Sequence, residues 1–507
     1  MDYPSIWQEE KAPQPFAGQT GLQKNESKTY ETVIVGAGLC GLLTAYRLVE
    51  KGVHSIAVVD AGELAGGVTA RTTAKITSQH GLIYDRLLQG LGREKAWAYA
   101  QANQEAVEAF AALAELFPCD FRRCGSVVYA AEEKDAEQVE RELQAALRVG
   151  LPAAPMRGQP LPFPVAAGVR FENQARFHPL KFAYALAACL APKVDFYLHT
   201  TALHPRKGGV DGVLHTTAGT LHADNVVVAT HFPFMDKPGF YFARVWQERS
   251  YVLAIRNVPA LEDLYWGAGE KGWSFRPCEG GLLVGGGSHK SGHEGRQAHF
   301  DRLEAATKSW YPQREVTAQW SAQDCMTHDG IPYIGRYKQL DGQLAARAFV
   351  ATGFNKWGMT GSMVAADLIS SEIAGRESPY AEVFSPSRFD PGMKAKRFIM
   401  ENTDMLKNYI GGYMELPPET AASLKPGEGR ILQVDGQRVG AYKDTDGTIY
   451  TVKPVCTHMG CILEWNQDEC SWDCPCHGSR YDVTGKILNN PALEPLGKTT
   501  LGEEQGK

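Results

Sequence analysis

Three features are scarce in this sequence: long apolar runs, an excess of basic residues, and cysteine over most of its length. The longest apolar run, near Phe182–Pro192, is far too short to cross a bilayer. The N-terminus lacks the basic start and apolar core of a signal peptide, so we expect a cytoplasmic protein without a transmembrane segment. A net charge of −6 gives no basic surface, which argues against a nucleic-acid partner.

Cysteine is concentrated near the C-terminus. Of the 11 cysteines, the scattered ones without a disulfide framework are Cys40, Cys119, Cys124, Cys189, Cys278 and Cys325. The others lie in the last quarter of the chain: Cys456, Cys461, Cys470, Cys474 and Cys476. This distribution favours a cytoplasmic protein over a secreted one. The length of 507 residues is too great for one core and predicts about two to four domains.

The C-terminal cysteines alternate with histidines in two short loops. One loop reads Cys456-Thr-His458-Met-Gly-Cys461, and the other reads Cys474-Pro-Cys476-His477-Gly-Ser-Arg-Tyr. Two thiolates and two imidazoles suit an iron–sulfur centre that has two Cys on one iron and two His on the other. A structural zinc site is the alternative, although zinc needs only four ligands and leaves the remaining cysteines and the Gly-Ser-x-Tyr sequence without a role.

These loops resemble the Rieske [2Fe–2S] domain in the high-potential form found in respiratory cytochrome bc complexes. The segment Asn490–Leu496 is similar to the proline loop that covers the cluster in that family. The resemblance implies that four residues are iron ligands: Cys456, His458, Cys474 and His477. It also implies a disulfide between Cys461 and Cys476.

The resemblance also implies how the cluster is tuned and reached. Ser479 and Tyr481 stand where Rieske domains donate hydrogen bonds to a bridging sulfide and to a ligand sulfur. Such donors stabilise the reduced cluster and raise its potential. In these domains the histidine ligands lie near the surface, so we expect His458 and His477 to offer an exit point for electrons.

The N-terminal region carries a dinucleotide signature. A strand, Thr32–Val35, precedes Gly36-Ala-Gly38-Leu-Cys-Gly41, a helical run, and a second strand that ends at Asp60. Gly36 permits the tight turn, Gly38 allows backbone to approach a pyrophosphate, and Gly41 allows close helix–strand packing. Asp60 is placed to accept hydrogen bonds from a ribose.

Later stretches distinguish flavin from nicotinamide. The loop Gly66–Lys75, the signature Asp329-Gly-Ile-Pro-Tyr-Ile-Gly335 and the segment Phe349–Gly361 resemble the D-amino-acid-oxidase-like family, which includes glycine and sarcosine oxidases. This family binds FAD, and its last glycine-rich helix start faces the pyrimidine end of the flavin. The FAD-binding residues predicted in this way are Gly36, Gly38, Gly41, Asp60, Thr72, Thr73, Gly353, Gly358, Met359 and Thr360.

The order of these motifs predicts the fold class and the domains. We expect an α/β (α+β) Rossmann-like FAD domain with a mixed-sheet substrate domain, followed by a small all-β Rieske domain. The predicted boundaries are an N-terminal extension at 1–30 that reads as an extended lead-in, an oxidoreductase at 31–385, a connector at 386–423 and the Rieske domain at 424–507. Within the oxidoreductase, the FAD part is predicted at about 31–105, 165–235 and 325–385, and the substrate part at about 106–164 and 236–324.

The substrate-binding residues depart from those of the related amino-acid oxidases. Those oxidases place an arginine before the Asp-Gly-x-Pro signature, whereas Trp320–His328 contains none, and sarcosine oxidases have a lysine where this chain has Thr360. These differences argue against a simple α-amino acid as substrate. Asp324 is either a turn residue or a group that holds a cationic substrate, and Lys75 and Lys356 are either near the flavin or at the surface. These three are the weak catalytic candidates.

We therefore expect an FAD-dependent oxidoreductase, a dehydrogenase more than an oxidase. It would oxidise a small amine or amino-acid derivative and pass electrons through the cluster to an external one-electron acceptor, either a protein or a quinone. The alternatives are an electron-transfer protein that serves a partner oxygenase or reductase, and a redox sensor. A Rieske oxygenase is not expected, because too few residues follow Tyr481 to supply a mononuclear iron site.

Overall fold

A computed structural model describes residues 3–11, 22–203, 212–235, 239–269, 272–293, 298–337, 348–388, 423–434 and 436–499. The predicted connector at 386–423 lies almost entirely outside these residues. The α-helices in the described part are α1 (Leu39–Glu50), α2 (Tyr84–Leu116), α3 (Ala136–Arg148), α4 (Pro179–Leu190), α5 (His299–Trp310), α6 (Gly358–Ile373) and α7 (Ala381–Phe384). None of these helices has the length and apolar character needed to cross a membrane.

The strands form four sheets. In chain order they are β1 (Ser27–Val35), β2 (Ile56–Val59), β3 (Lys75–Ile76), β4 (Arg122–Ala130), β5 (Ala153–Pro155), β6 (Ala167–Arg176), β7 (Val194–Tyr197), β8 (Val213–His215), β9 (Thr220–Val228), β10 (Val245–Arg256), β11 (Leu264–Gly267), β12 (Ser274–Cys278), β13 (Gly281–Lys290), β14 (Glu315–Thr327), β15 (Tyr333–Arg336), β16 (Ala348–Thr352), β17 (Gly429–Val434), β18 (Gln437–Lys443), β19 (Ile449–Val452), β20 (Glu464–Asn466), β21 (Ser471–Asp473), β22 (Arg480–Tyr481) and β23 (Ile487–Asn489).

The first sheet is mainly parallel and has the order β15–β16–β9–β1–β2–β7, with β8 paired to β9. Its central strand β1 pairs in parallel with β2 and β9 and ends in the apolar run Val33–Val35, which is almost fully buried. Such runs are typical of strands covered on both faces. The predicted strand–turn–helix–strand order is confirmed, because β1 ends at Val35, α1 begins at Leu39 and β2 ends at Val59.

The second sheet is mixed and has the order β14–β10–β13–β12–β11–β4–β6–β3, with β5 paired to β6. Strands β14, β10 and β13 form a long antiparallel ribbon at one edge. Strands β10 and β13 lie within the stretch 236–324 that was predicted to belong to the substrate part. This edge faces the carboxyl ends of the parallel strands, and a cavity lies between them.

The C-terminal module, residues 423–499, is all-β. Its first sheet is the meander β17–β18–β19, and its second is β20–β21–β22–β23. Strands β17, β18 and β19 pair as consecutive hairpins, with Arg438 opposite Gln433 and Tyr442 opposite Tyr450. Trp465 and Trp472 pack at 4.7 Å between ring centroids in its core. The fold class predicted from the sequence is therefore confirmed.

The residues before β1 are not a simple extended lead-in. Residues Ile6–Glu9 form a 3-10 helix that Ser5 caps, and the indole of Trp7 is 4% exposed. Trp7 Nε1 donates a hydrogen bond of 2.7 Å to Thr72 O in the predicted flavin loop. Sequence reasoning missed this contact because a short polar segment gives no periodic signal.

The Asp-Gly-x-Pro signature has a structural role. Asp329 is 3% exposed and accepts hydrogen bonds of 2.9 and 3.0 Å from Arg388. The Arg388 guanidinium lies 3.9 Å from the centroid of the Tyr333 ring and donates to the carbonyl of Pro332. The pair therefore holds the residues that follow α7 against β15.

Removing one member of this buried pair leaves the other charge without compensation. We expect Asp329→Ala to lower the free energy of unfolding by about 3–5 kcal/mol. The double variant Asp329→Ala/Arg388→Met should recover most of that loss, because it buries no charge. Urea unfolding followed by tryptophan fluorescence measures both, and an unchanged midpoint in the single variant would contradict the assignment.

Candidate active site and cluster site

A cavity of about 660 Å³ lies between the parallel sheet and the mixed sheet. This volume is within the range usual for cofactor and ligand sites. The carboxyl ends of β1, β2 and β9 open into it, which is where α/β sheets bind nucleotides. The predicted FAD residues that line it are Gly36, Gly38, Asp60, Thr72, Thr73, Gly358 and Met359.

The glycine turn at the end of β1 has the geometry that a nucleotide cradle needs. Gly36 has φ of +117°, and a Cβ there would overlap the carbonyl of Ala229. Gly38 has an ordinary φ of −77°, and a Cβ there would meet only Thr69 Oγ1 at 3.4 Å. The open side of Gly38 therefore faces the cavity at the N-terminus of α1, where backbone amides attract phosphate.

Asp60 lines the cavity while it also holds the turn. Its carboxylate accepts hydrogen bonds from Ala37 N at 2.7 Å and from Gly62 N at 2.8 Å. Burial raises the pKa of Asp60, and these two backbone donors oppose the rise. The ribose contact stays a prediction, since each oxygen already accepts one bond and a carboxylate oxygen can accept another.

Three predicted FAD residues lie outside the cavity lining. A Cβ on Gly41 would overlap the carbonyl of Gly36, which supports the close packing predicted for it. Gly353 has φ of +73° and packs against the side chain of Thr327. Thr360 Oγ1 lies 3.0 Å from His80 Nε2 and is 1% exposed. These three residues therefore pack against neighbouring elements and do not face the cavity.

The three weak catalytic candidates all line the cavity. Lys75, on β3, donates to Tyr265 O at 3.3 Å and contacts Ser274 Oγ. Burial lowers the pKa of Lys75 to about 7, and Arg276 adds to the effect. A lysine that is partly neutral near pH 7 can accept a proton, which an exposed lysine does not do.

Lys356 and Asp324 form a second polar group in the cavity. Lys356 Nζ donates to Ser250 Oγ at 2.9 Å and to Ser288 Oγ at 2.8 Å, and it pairs with Glu248 at 3.2 Å. Burial raises the pKa of Asp324, while the charge of Lys356 opposes the rise. This part of the cavity therefore holds the cation Lys356, which pairs with Glu248, and a second carboxylate, Asp324, in the cavity lining.

The two Cys/His loops of the C-terminal module share one backbone pattern. In each, the first cysteine donates its amide to the residue five positions on, Cys456 to Cys461 O and Cys474 to Ser479 O, both at 2.8 Å. In each, the glycine four positions on returns a bond to the cysteine carbonyl at 2.9 Å. Gly460 and Gly478 have φ of +80° and +78°, which glycine adopts without strain.

The two loops meet so that the predicted ligands converge. The His458 and His477 ring centroids are 5.0 Å apart, and a Cys461–Cys476 disulfide joins the loops. Tyr481 Oη lies 3.4 Å from Cys456 Sγ, the contact that the resemblance implied. Hydrogen bonding with Cys474 lowers the pKa of Cys456 against the effect of burial, and Tyr481 adds to the lowering. The same contact raises the pKa of Cys474, so the two predicted ligand sulfurs lie within hydrogen-bonding reach of each other.

Comparison with known proteins gives these sites their identity. Residues 31–372 match the family model of the FAD dependent oxidoreductases (DAO), and residues 417–500 match the Rieske [2Fe-2S] domain. The chain belongs to the DAO family of FAD-dependent oxidoreductases and carries a Rieske domain. The C-terminal module is this Rieske domain, and the remaining described residues, 3–388, are called the N-terminal body below.

Relatives support both halves of the oxidoreductase. Bacillus subtilis YhfW, named as a Rieske 2Fe-2S iron–sulfur protein, is 34% identical over 485 residues, 94% of each chain. The cyanelle cytochrome b6-f complex iron–sulfur subunit 2 of Cyanophora paradoxa is 45% identical over 71 residues, 13% of this chain and 30% of that protein. Glycine oxidase from Geobacillus kaustophilus has the same fold, with a TM-score of 0.60 at 20% identity over 71% of this chain and 99% of that chain.

The residues of the oxidoreductase fit both cofactors. The glycine-walled cavity opens at the N-terminus of α1 and suits FAD, and the two-Cys, two-His donor set suits a Rieske [2Fe–2S] cluster. The two extra cysteines are taken by the disulfide, which a zinc site would not require. Which side chains hold each cofactor stays a prediction.

The predicted surface position of the histidine ligands is wrong for His477. His477 is 2% exposed, its ring lies 5.9 Å from Phe242, and His458 lies 6.4 Å from Phe232. Both phenylalanines belong to the N-terminal body. The N-terminal body therefore covers His477, whereas His458 is only half-buried.

Alternating side chains of β10 and β14 serve two different sites. On β10, Glu248 and Ser250 contact Lys356, whereas Gln247 and Arg249 contact the Rieske domain. On β14, Ala322 and Asp324 line the cavity, whereas Ser321 and Gln323 contact the Rieske domain. This division follows from the two-residue period of a strand.

A buried charge network crosses this contact. Arg249 Nε donates to Glu469 at 3.0 Å, Arg480 lies 3.1 Å from the same carboxylate, and Arg480 pairs with Asp473 at 2.9 Å. Burial alone would raise the pKa of Glu469, but the two arginines outweigh it and lower the pKa to about 2. Glu469 therefore stays charged at neutral pH.

The predicted ligand set can be tested with two matched cysteines. Cys456→Ser should remove the cluster absorption and leave bound FAD, because serine is a poor ligand for iron–sulfur clusters. Cys470→Ser, a buried cysteine outside the set, should retain both cofactors. Iron, sulfide and flavin analysis measures the outcome, and a full cluster in Cys456→Ser would overturn the ligand assignment.

Proposed function

We propose that this oxidoreductase is a dehydrogenase that oxidises a small amine or amino-acid derivative at FAD. Its Rieske cluster would pass the electrons to an external one-electron acceptor, a protein or a quinone. The observation that carries the proposal is that the N-terminal body and the Rieske domain both contribute residues to the wall of the cavity. Residues Ile487–Asn490, Ala492 and Leu493 of the Rieske domain line the same cavity as the glycine turn Gly36–Gly38.

The polar groups of the cavity support an amine as the substrate class. Bound FAD would supply the acceptor for a hydride from the carbon beside the nitrogen, so that the amine would become an imine. Lys75 is placed to accept the proton of a substrate ammonium, since burial brings its pKa to about 7. Lys356 offers a cation for a carboxylate, and Asp324 offers an anion for an amine.

The Rieske domain supports a dehydrogenase more than an oxidase. An oxidase passes both electrons from flavin to oxygen and gains nothing from a one-electron centre. Here each oxidation releases two electrons, which the cluster passes on singly, so two acceptor molecules are reduced for each substrate. The likeness to a cytochrome b6-f iron–sulfur subunit and the Tyr481–Cys456 contact both favour a high cluster potential.

An electron-transfer protein that serves a partner oxygenase or reductase is the second candidate. The observation that favours it is the partial exposure of His458 beside the exposed Met459, which leaves room for a partner protein near one predicted ligand. The polar groups of the cavity argue for a substrate of its own.

Anaerobic stopped-flow mixing with a panel of small amines tests the proposed function. With the right amine we expect the flavin absorption to bleach first and the cluster absorption to bleach after it, with turnover of an artificial one-electron acceptor and slow reaction with oxygen. If hydrogen peroxide instead forms at the rate of flavin oxidation while the cluster stays oxidised, the dehydrogenase proposal fails.

The role of Lys75 predicts a pH dependence. Below about pH 7 the Lys75 amine is protonated and cannot accept a proton, so the rate of flavin reduction should rise with pH through about 7. In Lys75→Met the rate should fall roughly a hundredfold and this inflection should disappear. Lys51→Met is the control, because burial also lowers the pKa of Lys51 but Lys51 lies outside the cavity lining. A retained inflection in Lys75→Met would exclude Lys75 as the base.

A further inference from the structure

The Rieske domain is held on the N-terminal body by hydrogen bonds that end on its cluster loops. Gln247 Nε2 donates to His477 O at 2.8 Å and to Asn490 O at 2.9 Å. Gln323 Nε2 donates to Gly478 O at 2.9 Å. Both glutamines are 2% exposed or less. The contacted carbonyls belong to the predicted ligand His477, to the next residue Gly478 and to Asn490. The two glutamines therefore contact the Rieske domain directly at His477.

A second set of hydrogen bonds connects Asn490, in the segment similar to the proline loop, to the wall of the cavity. Asn490 Nδ2 donates to Thr230 O at 3.0 Å and to Phe232 O at 2.9 Å. Thr230 lines the flavin cavity next to the end of β9, and Phe232 contacts His458. The segment 487–493 therefore lines the cavity and is joined to the two histidines through Gln247 and Phe232.

Gly292 allows the cluster loop to approach the mixed sheet this closely. It has φ of +77°, and a Cβ there would lie 2.5 Å from Cys474 C and from Pro475 Cα. Real Cβ atoms do not approach backbone atoms so closely, so any side chain at this position must displace the loop. Gly280, at the other end of β13, has a similar φ of +70° and open space around it.

We propose that the histidine end of the cluster is the electron entry, held by a seat of Gly292, Gln247 and Gln323 against the flavin cavity of its own chain. This inference rests on the proposed function for the source of the electrons. Each substrate oxidised yields two electrons and releases its protons to solvent. Each transfer reduces one ferric iron to ferrous, and the external acceptor removes that electron before the next. The acceptor therefore approaches a part of the Rieske domain other than His477, because Phe242 and Gln247 of the same chain cover that residue.

The test compares Gly292→Ala with Gly280→Ala, two substitutions with the same backbone strain. Illumination with EDTA under anaerobic conditions reduces the flavin without an amine, and the rate of cluster bleaching then reports electron entry. Hydrogen exchange of residues 475–479 and 487–493 reports docking. In Gly292→Ala we expect full cofactor loading, faster exchange in these segments and cluster reduction slowed about tenfold or more, because a small displacement at a reacting centre has a large effect on rate. Gly280→Ala should match the wild type.

A second variant covers the case in which Gly292→Ala fails to fold. Gln247→Leu keeps a similar volume and leaves the His477 and Asn490 carbonyls without their donor, so it should loosen the same segments and slow the same step. Wild-type cluster reduction in a variant whose segments exchange faster would overturn the proposal, and so would wild-type exchange and rate in both variants. If photoreduced flavin feeds the cluster in the wild type but no amine reduces the flavin, the proposed function fails while the entry role stands.

Discussion

The arrangement of the two cofactor sites depends on the buried charges that cross from β10 to the Rieske domain. Arg249, Glu469 and Arg480 have all left water, and each would be costly to bury alone. Together they satisfy one another only when the Rieske domain lies in one orientation. Buried ion pairs of this kind contribute little net stability, but they are directional in a way that apolar contacts are not. We infer that their main effect is to fix how the cluster loops face the cavity.

The edge of the mixed sheet makes this arrangement possible. Because side chains alternate along β10 and β14, one strand can present Ser250 to the cavity and Arg249 to the Rieske domain without any insertion. A displacement of either strand would thus disturb both the side chains that face the cavity and those that contact the Rieske domain. Strand β14 lies at the edge of the mixed sheet, so no further strand pairs with its outer side. Residues 487–493 of the Rieske domain can therefore form part of the cavity wall.

Enclosure also sets the chemistry of the individual groups. Burial brings the pKa of Lys75 to about 7, whereas paired arginines keep Glu469 charged at the same depth. The difference lies in the neighbours: Lys75 faces hydroxyl and carbonyl oxygens and another cation, whereas Glu469 faces two cations. The N-terminal body therefore contains a buried group suited to proton transfer, Lys75, and the Rieske domain contains one suited to holding the two domains together, Glu469.

The sequence alone determined the cofactors and the fold class. The Gly36–Gly41 turn and the two Cys/His loops each act within a few consecutive residues, so their spacing carries their chemistry. Tertiary structure alone decided that Gly353 and Thr360 lie outside the cavity lining, that Trp7 reaches Thr72, and that His477 is covered. It also brought Gln247, Gln323 and Gly292 under loops more than a hundred residues away. A glutamine on a strand or a glycine after one has no local signal for such a role, because its partner is chosen by how the domains pack.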